Sequence, residues 1–395
     1  MDGSKTYFVV GAGMQGTAAA YDLARFGNAG RIVLTDIDGE AARKSADRVN
    51  RLSESNVCES LRLDASDVAA VAKAVGTADV VLSCVPYKLH ATVEEGAFQA
   101  GVSVLDMGND TDVTLKTLGR DQELRERGIT FVPDTGLAPG LVNSLAVWFM
   151  EELDEVTDVR LFCGGLPQNP KPPFNYALRF SIEGLVGEYV DEAIAIRDHE
   201  VVRLETLAEL ETIEVPTLGV LEAFTTSSGT STAPFTFRDR VRNYEYKTLR
   251  YPGHCALMRI FHDFGFWDEE KLEFPGGRVA PFEVFCRLMG EKLRDPEDRD
   301  LVVTHAIGRG VKEGAPSQMM ATIIDYHDDA TGFTAMERLT GFSTAIVAIE
   351  IANGRIRKGA VPYETAISGG TMLDALRKRG IDIQVEKEVG ASDSR

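Results

Sequence analysis

The stretch Tyr244-Glu-Tyr-Lys247-Thr-Leu-Arg250-Tyr251-Pro-Gly-His254 packs two cations, three tyrosines and a histidine into one short segment. Each type has a distinct use. An imidazole titrates near neutrality, an ammonium becomes a base only where burial lowers its pKa, and a guanidinium forks onto a carboxylate. A charge run is otherwise a solvated face, but such opposed roles in a strand-turn setting favour a working site. A second stretch, Asp134-Thr-Gly136-Leu-Ala-Pro139-Gly140-Leu-Val-Asn143, reads either as a rigid hinge or as a direct contact with a cofactor or substrate.

The N-terminal chemistry belongs to the backbone. Tyr7-Phe-Val-Val-Gly11-Ala-Gly13-Met14-Gln15-Gly16 is an apolar run entering GxGxxG, residues 17–26 are helix-forming, and Arg31-Ile-Val-Leu-Thr-Asp36 is a second strand closed by an acid. This context predicts a bound dinucleotide, with Gly11 permitting the turn, Gly13 admitting the pyrophosphate and Gly16 allowing close helix packing. Met14 and Gln15 fall in the same turn, and the phosphates would meet the positive end of the helix. Asp36 should accept a ribose 2′-hydroxyl and repel a 2′-phosphate, which favours NAD. Two alternatives stand beside it: Asp38 shares the role, or Asp36 simply ends a strand.

The elements that must position these residues alternate. Helices are predicted at 39–50, 66–75, 89–99 and 115–127, and strands at 57–63, 78–84, 103–107 and 130–133. Such alternation specifies an α/β fold, a Rossmann doubly wound parallel sheet whose ligands lie at the carboxyl ends of the strands. Asp64, the Cys84-Val85-Pro86-Tyr87 run, Asp106 and Asp134 all fall just past such ends. From about residue 158 strand-like runs at 159–163, 177–181, 222–225 and 318–326 predict an inserted α+β substrate domain, with 164–173 a surface loop. Residues 341–354 read as a buried helix, and the chain after 380 as a short strand and a loose tail. The expected division is therefore 1–145, 146–335 for substrate binding and dimerisation, and 336–395 packing back on the first domain.

Composition narrows the function classes. The 395 residues are 44% hydrophobic and 26% charged, as in a globular protein with a sizeable core. A net charge of −19 argues against nucleic acid or an anionic membrane as partner. The 13 lysines and 29 arginines beside 61 acids fit either a high-salt proteome or a solubilising surface. With no signal-like or membrane-spanning run, a cytoplasmic location is expected. Five scattered cysteines imply neither a disulfide framework nor a zinc knuckle, and no metal site is expected.

The N-terminal fingerprint, Pro133-Asp-Thr-Gly-Leu-Ala-Pro-Gly140, Phe180-Ser-Ile-Glu-Gly184 and Lys247-Thr-Leu-Arg-Tyr-Pro-Gly-His254 together resemble the saccharopine dehydrogenase superfamily, and within it the L-lysine 6-dehydrogenases. The resemblance runs over nearly the whole chain. It implies a Rossmann domain with an inserted substrate domain, a homodimer or higher homo-oligomer, and NAD-linked oxidation of an amine carbon on a small amino-acid or amine substrate. A lysine 6-dehydrogenase takes hydride from the ε-carbon of L-lysine, and the imine hydrolyses to 2-aminoadipate 6-semialdehyde and ammonia. One departure stands out: Cys84-Val-Pro86-Tyr-Lys-Leu-His90 looks more like the saccharopine-forming enzymes, whereas Ala138 stands where those carry an acid.

Set against that reaction, His254 is the expected general base and Lys247 the orienting cation, although the order can be reversed. Asp106 either binds the substrate ammonium or caps a local turn. Arg250 beside Tyr251 is expected to hold the substrate carboxylate, with Arg179 in reserve, and Glu183 the α-ammonium. Cofactor contacts fall on Gly11, Gly13, Met14, Gln15, Gly16, Asp36, Asp64, Cys84, Val85 and Pro86. His90 could approach the nicotinamide. Two alternatives to the deaminating enzyme stay open: an opine- or carboxyspermidine-type reductase, which needs a second buried cation beside Arg250, and a non-enzymatic NAD sensor.

Overall fold

The computed structural model describes residues 3–227, 229–295 and 297–390. In chain order the elements begin β1 (Lys5–Val10), α1 (Met14–Phe26), β2 (Ala29–Asp36), α2 (Gly39–Ser53), β3 (Cys58–Arg62), α3 (Val68–Val75), β4 (Val80–Ser83), α4 (His90–Ala100), β5 (Ser103–Asp106), α5 (Thr111–Leu118), α6 (Asp121–Glu126), β6 (Thr130–Val132) and α7 (Val142–Glu152). There follow β7 (Glu155–Pro167), α8 (Ile182–Val190), β8 (Ala193–Arg197), β9 (Glu200–Leu204), β10 (Glu211–Val215), β11 (Gly219–Phe224), α9 (Ala233–Phe237), β12 (Asn243–Arg250), α10 (His254–Asp263), β13 (Leu272–Phe274), β14 (Gly277–Val279) and α11 (Pro281–Lys292). The chain closes with β15 (Asp300–Lys312), β16 (Ala315–Tyr326), α12 (Ala335–Ala352), β17 (Gly359–Ala360), α13 (Tyr363–Ala366), α14 (Gly369–Arg377) and β18 (Gln384–Val389).

Two compact units result. The first takes the described residues up to Leu153, together with Thr230–Phe237 and Asp328–Asp382. Its sheet runs β17-β6-β5-β4-β1-β2-β3 with every pair parallel, so the order reverses between β1 and β4. This is the expected doubly wound fold. Its central strands are continuous apolar runs because both faces are buried. Asp38, Asp67 and Asp110 cap α2, α3 and α5 through backbone N–H groups. The helix expected at 115–127 instead starts earlier, under the Asp110 cap, and is interrupted at Gly119 and Arg120 before α6 begins.

The second unit takes Asp154–Gly229, Arg238–His327 and the described residues from Ile383. Its main sheet has nine strands in the order β10-β11-β12-β7-β15-β16-β18, with β8 and β9 branching from β12. Only the β12–β7 pair is parallel, so this is the α+β architecture. Strand alternation gives β12 two faces. One looks toward a core of Tyr176, Leu185, Tyr189, Met258, Trp267 and Phe285; the other carries Leu249 into a core with Phe162, Leu221 and Val303.

Several expected boundaries move. Residues 164–167 are strand rather than loop: a Cβ at Gly164 would strike the Leu249 carbonyl, so glycine there lets β7 lie close beside β12. Residues 177–181 form no strand, because Ser181 turns to cap α8 through the Gly184 N–H. The first unit runs to Leu153, not 145, since α7 continues to Glu152, and it recovers the chain at Asp328. The segment expected at 336–395 divides: residues to Asp382 belong to the first unit, whereas β18 adds antiparallel to the free edge of β16. Among the described residues no helix is long and apolar enough to cross a membrane.

Candidate functional site

The dinucleotide turn lies entirely in the first unit. Gly11 has φ +106°, and a Cβ there would collide with the Cys84 carbonyl; a Cβ at Gly16 would collide with the carbonyl of Gly11. Both must be glycine for β1, β4 and α1 to meet. Gly13 is the N-cap of α1, has open space where a Cβ would stand, and offers no side-chain cap. The first-turn N–H groups of α1 therefore remain available to a pyrophosphate. Met14 is half exposed at this end, and the side-chain Oε1 of Gln15 is buried with no partner. The residues present fit a dinucleotide.

Asp36 closes β2, where its carboxylate accepts the N–H of Ala12 at 3.1 Å and of Asp38 at 3.0 Å. Asp38 is used as the cap of α2, accepting from Glu40 and Ala41, which leaves Asp36 as the acid at the strand end. Arg62, paired opposite Asp36 on β3, donates through Nε to the Ile37 carbonyl at 3.0 Å. Asp64 is consumed locally: Ser66 donates its N–H and hydroxyl to it at 2.9 and 2.7 Å, and these bonds hold its carboxyl below the ordinary range. Cys84 follows β4 and precedes Val85 and Pro86; burial pushes its thiol far above the reactive range, so it packs rather than attacks.

Asp106 is completely enclosed at the end of β5. Its Oδ1 accepts the N–H groups of Gly108 and Asp134 at 2.9 and 3.0 Å, whereas Oδ2 has no partner. The turn-cap role and a free acceptor oxygen thus coexist in one side chain. Sequence reasoning had Asp134 as a strand end opening the 134–143 stretch and missed Glu94 altogether; both are buried, burial is what mainly raises their proton affinity, and Asp106 raises both further, with Asp134 also acting on Glu94. His90 is buried, shares a 2.7 Å hydrogen bond with Ser83 Oγ through Nδ1, and is pushed down to about 4 by burial, so its ring is neutral.

In the second unit the residues of the 244–254 stretch divide between the two faces of β12. Arg250 is enclosed, donates to Glu188 at 3.3 Å and to the Leu249 carbonyl at 3.0 Å, and lies 5.0 Å from the centre of the Tyr176 ring. Its Nε has no partner. His254, at the start of α10, joins the same cluster: Nε2 meets the Tyr189 hydroxyl at 3.1 Å and Nδ1 the Phe174 carbonyl at 3.3 Å. A carbonyl only accepts, so Nδ1 carries the proton and Nε2 accepts from Tyr189. Burial first, and the Arg250 charge second, push His254 down to about 3. It stays neutral near pH 7, with both nitrogens engaged.

Lys247, three residues before Arg250, projects to the opposite face, as a period of two requires. There Nζ donates to Glu211 and to the Glu209 carbonyl, both at 2.7 Å, within a network in which Arg160 also bridges Glu211 and Glu245. The expected pairing of Lys247 with His254 is therefore not formed. Tyr251 likewise turns from Arg250, its hydroxyl donating to the Pro167 carbonyl at 3.0 Å. Arg179 is locked to Asp298, and Glu183 is exposed in the first turn of α8. The acid beside Arg250 is Glu188, one and a half turns along the same helix.

Comparison with known proteins gives a consistent relationship. A family model described as the saccharopine dehydrogenase NADP binding domain matches residues 7–132, and one described as the saccharopine dehydrogenase C-terminal domain matches 136–381. Curated relatives include "Saccharopine dehydrogenase [NADP(+), L-glutamate-forming]" of Schizosaccharomyces pombe, 22% identical over 83% of this chain and 88% of the relative. Its namesake from Pyricularia oryzae is 26% identical over 82% and 87%. Among solved structures, apo saccharopine dehydrogenase (L-Glu forming) from Saccharomyces cerevisiae superposes with a TM-score of 0.78 at 17% identity, over 98% of this chain and 100% of that one, and so shares the fold.

Proposed function

The chain belongs to the saccharopine dehydrogenase family of oxidoreductases and carries its nicotinamide-nucleotide-binding domain, and on that footing we propose that it oxidises an amine-bearing carbon of an amino acid with NAD. The observation that carries the cofactor half is Asp36, the acid that stands at the end of β2, held by the Ala12 and Asp38 N–H groups, while Asp38 is spent as a cap. The relatives named above are specified for NADP(+). A second reading, acceptance of NADP, is favoured by Arg62, whose guanidinium is held beside the Ile37 carbonyl next to Asp36.

For the substrate, Arg250 supports one carboxylate: it is enclosed, its Nε is unpartnered, and Glu188 occupies only part of its fork. Arg179, a second guanidinium near Tyr176, is paired with Asp298 but, like Arg250, keeps a buried Nε without a partner. Use of the Arg250 fork alone suits a simple amino acid such as L-lysine, oxidised at its ε-carbon with loss of ammonia, whereas use of both guanidinium groups suits a substrate with two carboxylates. The relatives' names favour the secondary amine saccharopine. In either case the C–H bond breaks, hydride passes to the nicotinamide, the amine loses a proton, and water hydrolyses the imine. His254, neutral and bonded at both nitrogens, positions Tyr189 and Arg250 in this reading; Asp106 is the candidate proton acceptor. Assembly as a homodimer acting on small molecules alone, in the cytoplasm, completes the proposal.

The test is absorbance of the reduced cofactor when the protein meets NAD or NADP with single amino acids, diamines or saccharopine. Reduction of NAD with L-lysine and release of ammonia is the expected outcome. Reduction only with saccharopine transfers the assignment to the second substrate; silence with every amine, but NADH consumption when an amine and an oxo acid are supplied together, promotes the opine-type reductase, and silence in both directions removes the enzymatic reading.

A further inference from the structure

The carboxyl ends of β5 and β6, with the facing side of α4, hold three buried carboxylates, of which the proposed amine oxidation uses only Asp106. Asp106 keeps one oxygen, Oδ2, without a partner. Asp134, in the left-handed region at φ +59°, accepts the Asn109 N–H at 2.8 Å on Oδ1 and the hydroxyls of Thr114, at 3.1 Å, and Ser231 on Oδ2. Glu94 accepts the Thr117 hydroxyl at 3.3 Å and leaves Oε1 buried and unpartnered. Among the described residues none of the three forms an ion pair, and no group of metal-binding geometry includes them.

The other titratable groups facing them do not neutralise this charge. His90 of α4 is neutral, and the Cys84 thiol beside Asp106 is protonated. Arg120 acts on Glu94 only at a distance, being paired with Glu95 and Glu123. Glu364 of α13, which adjoins Asp134, is itself a buried acid held by the Thr232 and Thr236 hydroxyls.

Position gives these carboxylates a use. In a doubly wound sheet one half receives each nucleoside, and Asp36 marks the β1-β2-β3 half for the adenosine ribose. A bound nicotinamide would then belong to the half formed by β4, β5 and β6. We propose that Glu94, Asp106 and Asp134 form a buried counter-charge that discriminates the cationic oxidised nicotinamide from the neutral reduced one. The proposal rests on the dinucleotide reading and adds a selectivity to it.

Desolvation is the largest cause that pushes Asp106 up to about 6, Asp134 to about 7 and Glu94 to about 8, and mutual repulsion adds to the last two. The group is therefore proton-loaded in mild acid and gains negative charge as the pH rises through neutrality. A cation near it gains attraction over the same interval, whereas a neutral ring does not. One unit charge about 10 Å away at an effective dielectric of about 20 changes affinity roughly tenfold.

The experiment is calorimetric titration of the full chain with NAD+ and, separately, NADH between about pH 5.5 and about pH 8.5, a span that brackets these groups. The expected result is NAD+ affinity rising at least roughly tenfold with pH, the effect of a single charge, while NADH affinity stays level. In Glu94→Gln and Asp134→Asn, two independent variants that each keep the side-chain shape, the rise should shrink with NADH binding retained. Parallel pH slopes for the two nucleotides, or an unchanged slope in both folded variants, overturn the counter-charge. Failure of both nucleotides to bind at any pH overturns the dinucleotide reading itself, a distinct outcome.

Discussion

Buried charge is handled in opposite ways by two clusters, one in each unit, the enclosed Asp22–Arg379 pair of the first unit standing apart from both. In the second unit, Lys247, Arg160, Glu211 and Glu245 interlock on one face of β12, and Arg250 meets Glu188 on the other. In the first, Glu94, Asp106 and Asp134 have only hydroxyls and backbone N–H groups, and two of their oxygens have nothing. Charges paired on every side hold a fold in register. Charges left short of partners keep a capacity for a ligand or a proton, so the first group and the partly free Arg250 are where chemistry is to be sought.

The sharpest way to break this contrast is to remove one cation from each face of the same strand. Arg250→Met should abolish amine oxidation and, by stranding partly buried Glu188, cost about 2–3 kcal/mol, somewhat below the penalty for a fully enclosed pair. Lys247→Met should cost about 1 kcal/mol, because Glu211 keeps Arg160, while kcat/KM changes little. Urea unfolding with steady-state rates checks both. Loss of turnover in a well-folded Lys247→Met protein would return Lys247 to the reaction and dissolve the distinction between the faces.

The second test uses protons. Carboxyls raised in the folded state bind more protons there than in the unfolded chain, so their stabilisation is complete below the unfolded value and is lost as pH rises through about 6 to 8. His90 and His254 are lowered and work in the opposite sense, but only below the unfolded histidine value of about 6.5. Above that value the acids act alone. Stability from urea unfolding should therefore fall between about pH 6.5 and about pH 8 by a few kcal/mol at most, each pKa unit being worth about 1.4 kcal/mol. Asp134→Asn should flatten the decline; a flat profile in the unaltered protein would mean that these carboxylates stay ionised throughout.

The contrast also explains what the sequence could and could not reveal. Local signals were legible: GxGxxG, the acid at the end of β2 and the alternation of 2.0 and 3.6 periods require only neighbours along the chain. The grouping of Lys247, Arg250 and His254 was misleading because nearness along a strand sends residues three apart to opposite faces, a rule that could have been applied at once. Glu94 and Glu188 were invisible for another reason. Each sits on a helix four residues past the end of a stretch that drew notice, at His90 and at Gly184, and acquires meaning only when the sheet brings a distant strand against that helix. Gly164 looked like loop because the need for close strand approach leaves no local mark.

The smallest expected effect concerns His254, and it separates positioning from proton transfer. His254→Gln removes the acceptor for the Tyr189 hydroxyl or the donor to Phe174, and one such bond is worth about 1 kcal/mol. Tyr189 and Tyr176 would then hold Arg250 less firmly, which should reduce kcat/KM by a factor of roughly three to ten. Because the ring is already neutral down to about pH 3, its loss should not move the midpoint of the kcat/KM profile near neutrality. Asp106→Asn, by contrast, should remove the acidic limb if its unpartnered oxygen accepts the amine proton. A profile that loses its limb in His254→Gln and keeps it in Asp106→Asn would reverse the two roles, and would place the working base in the second unit rather than the first.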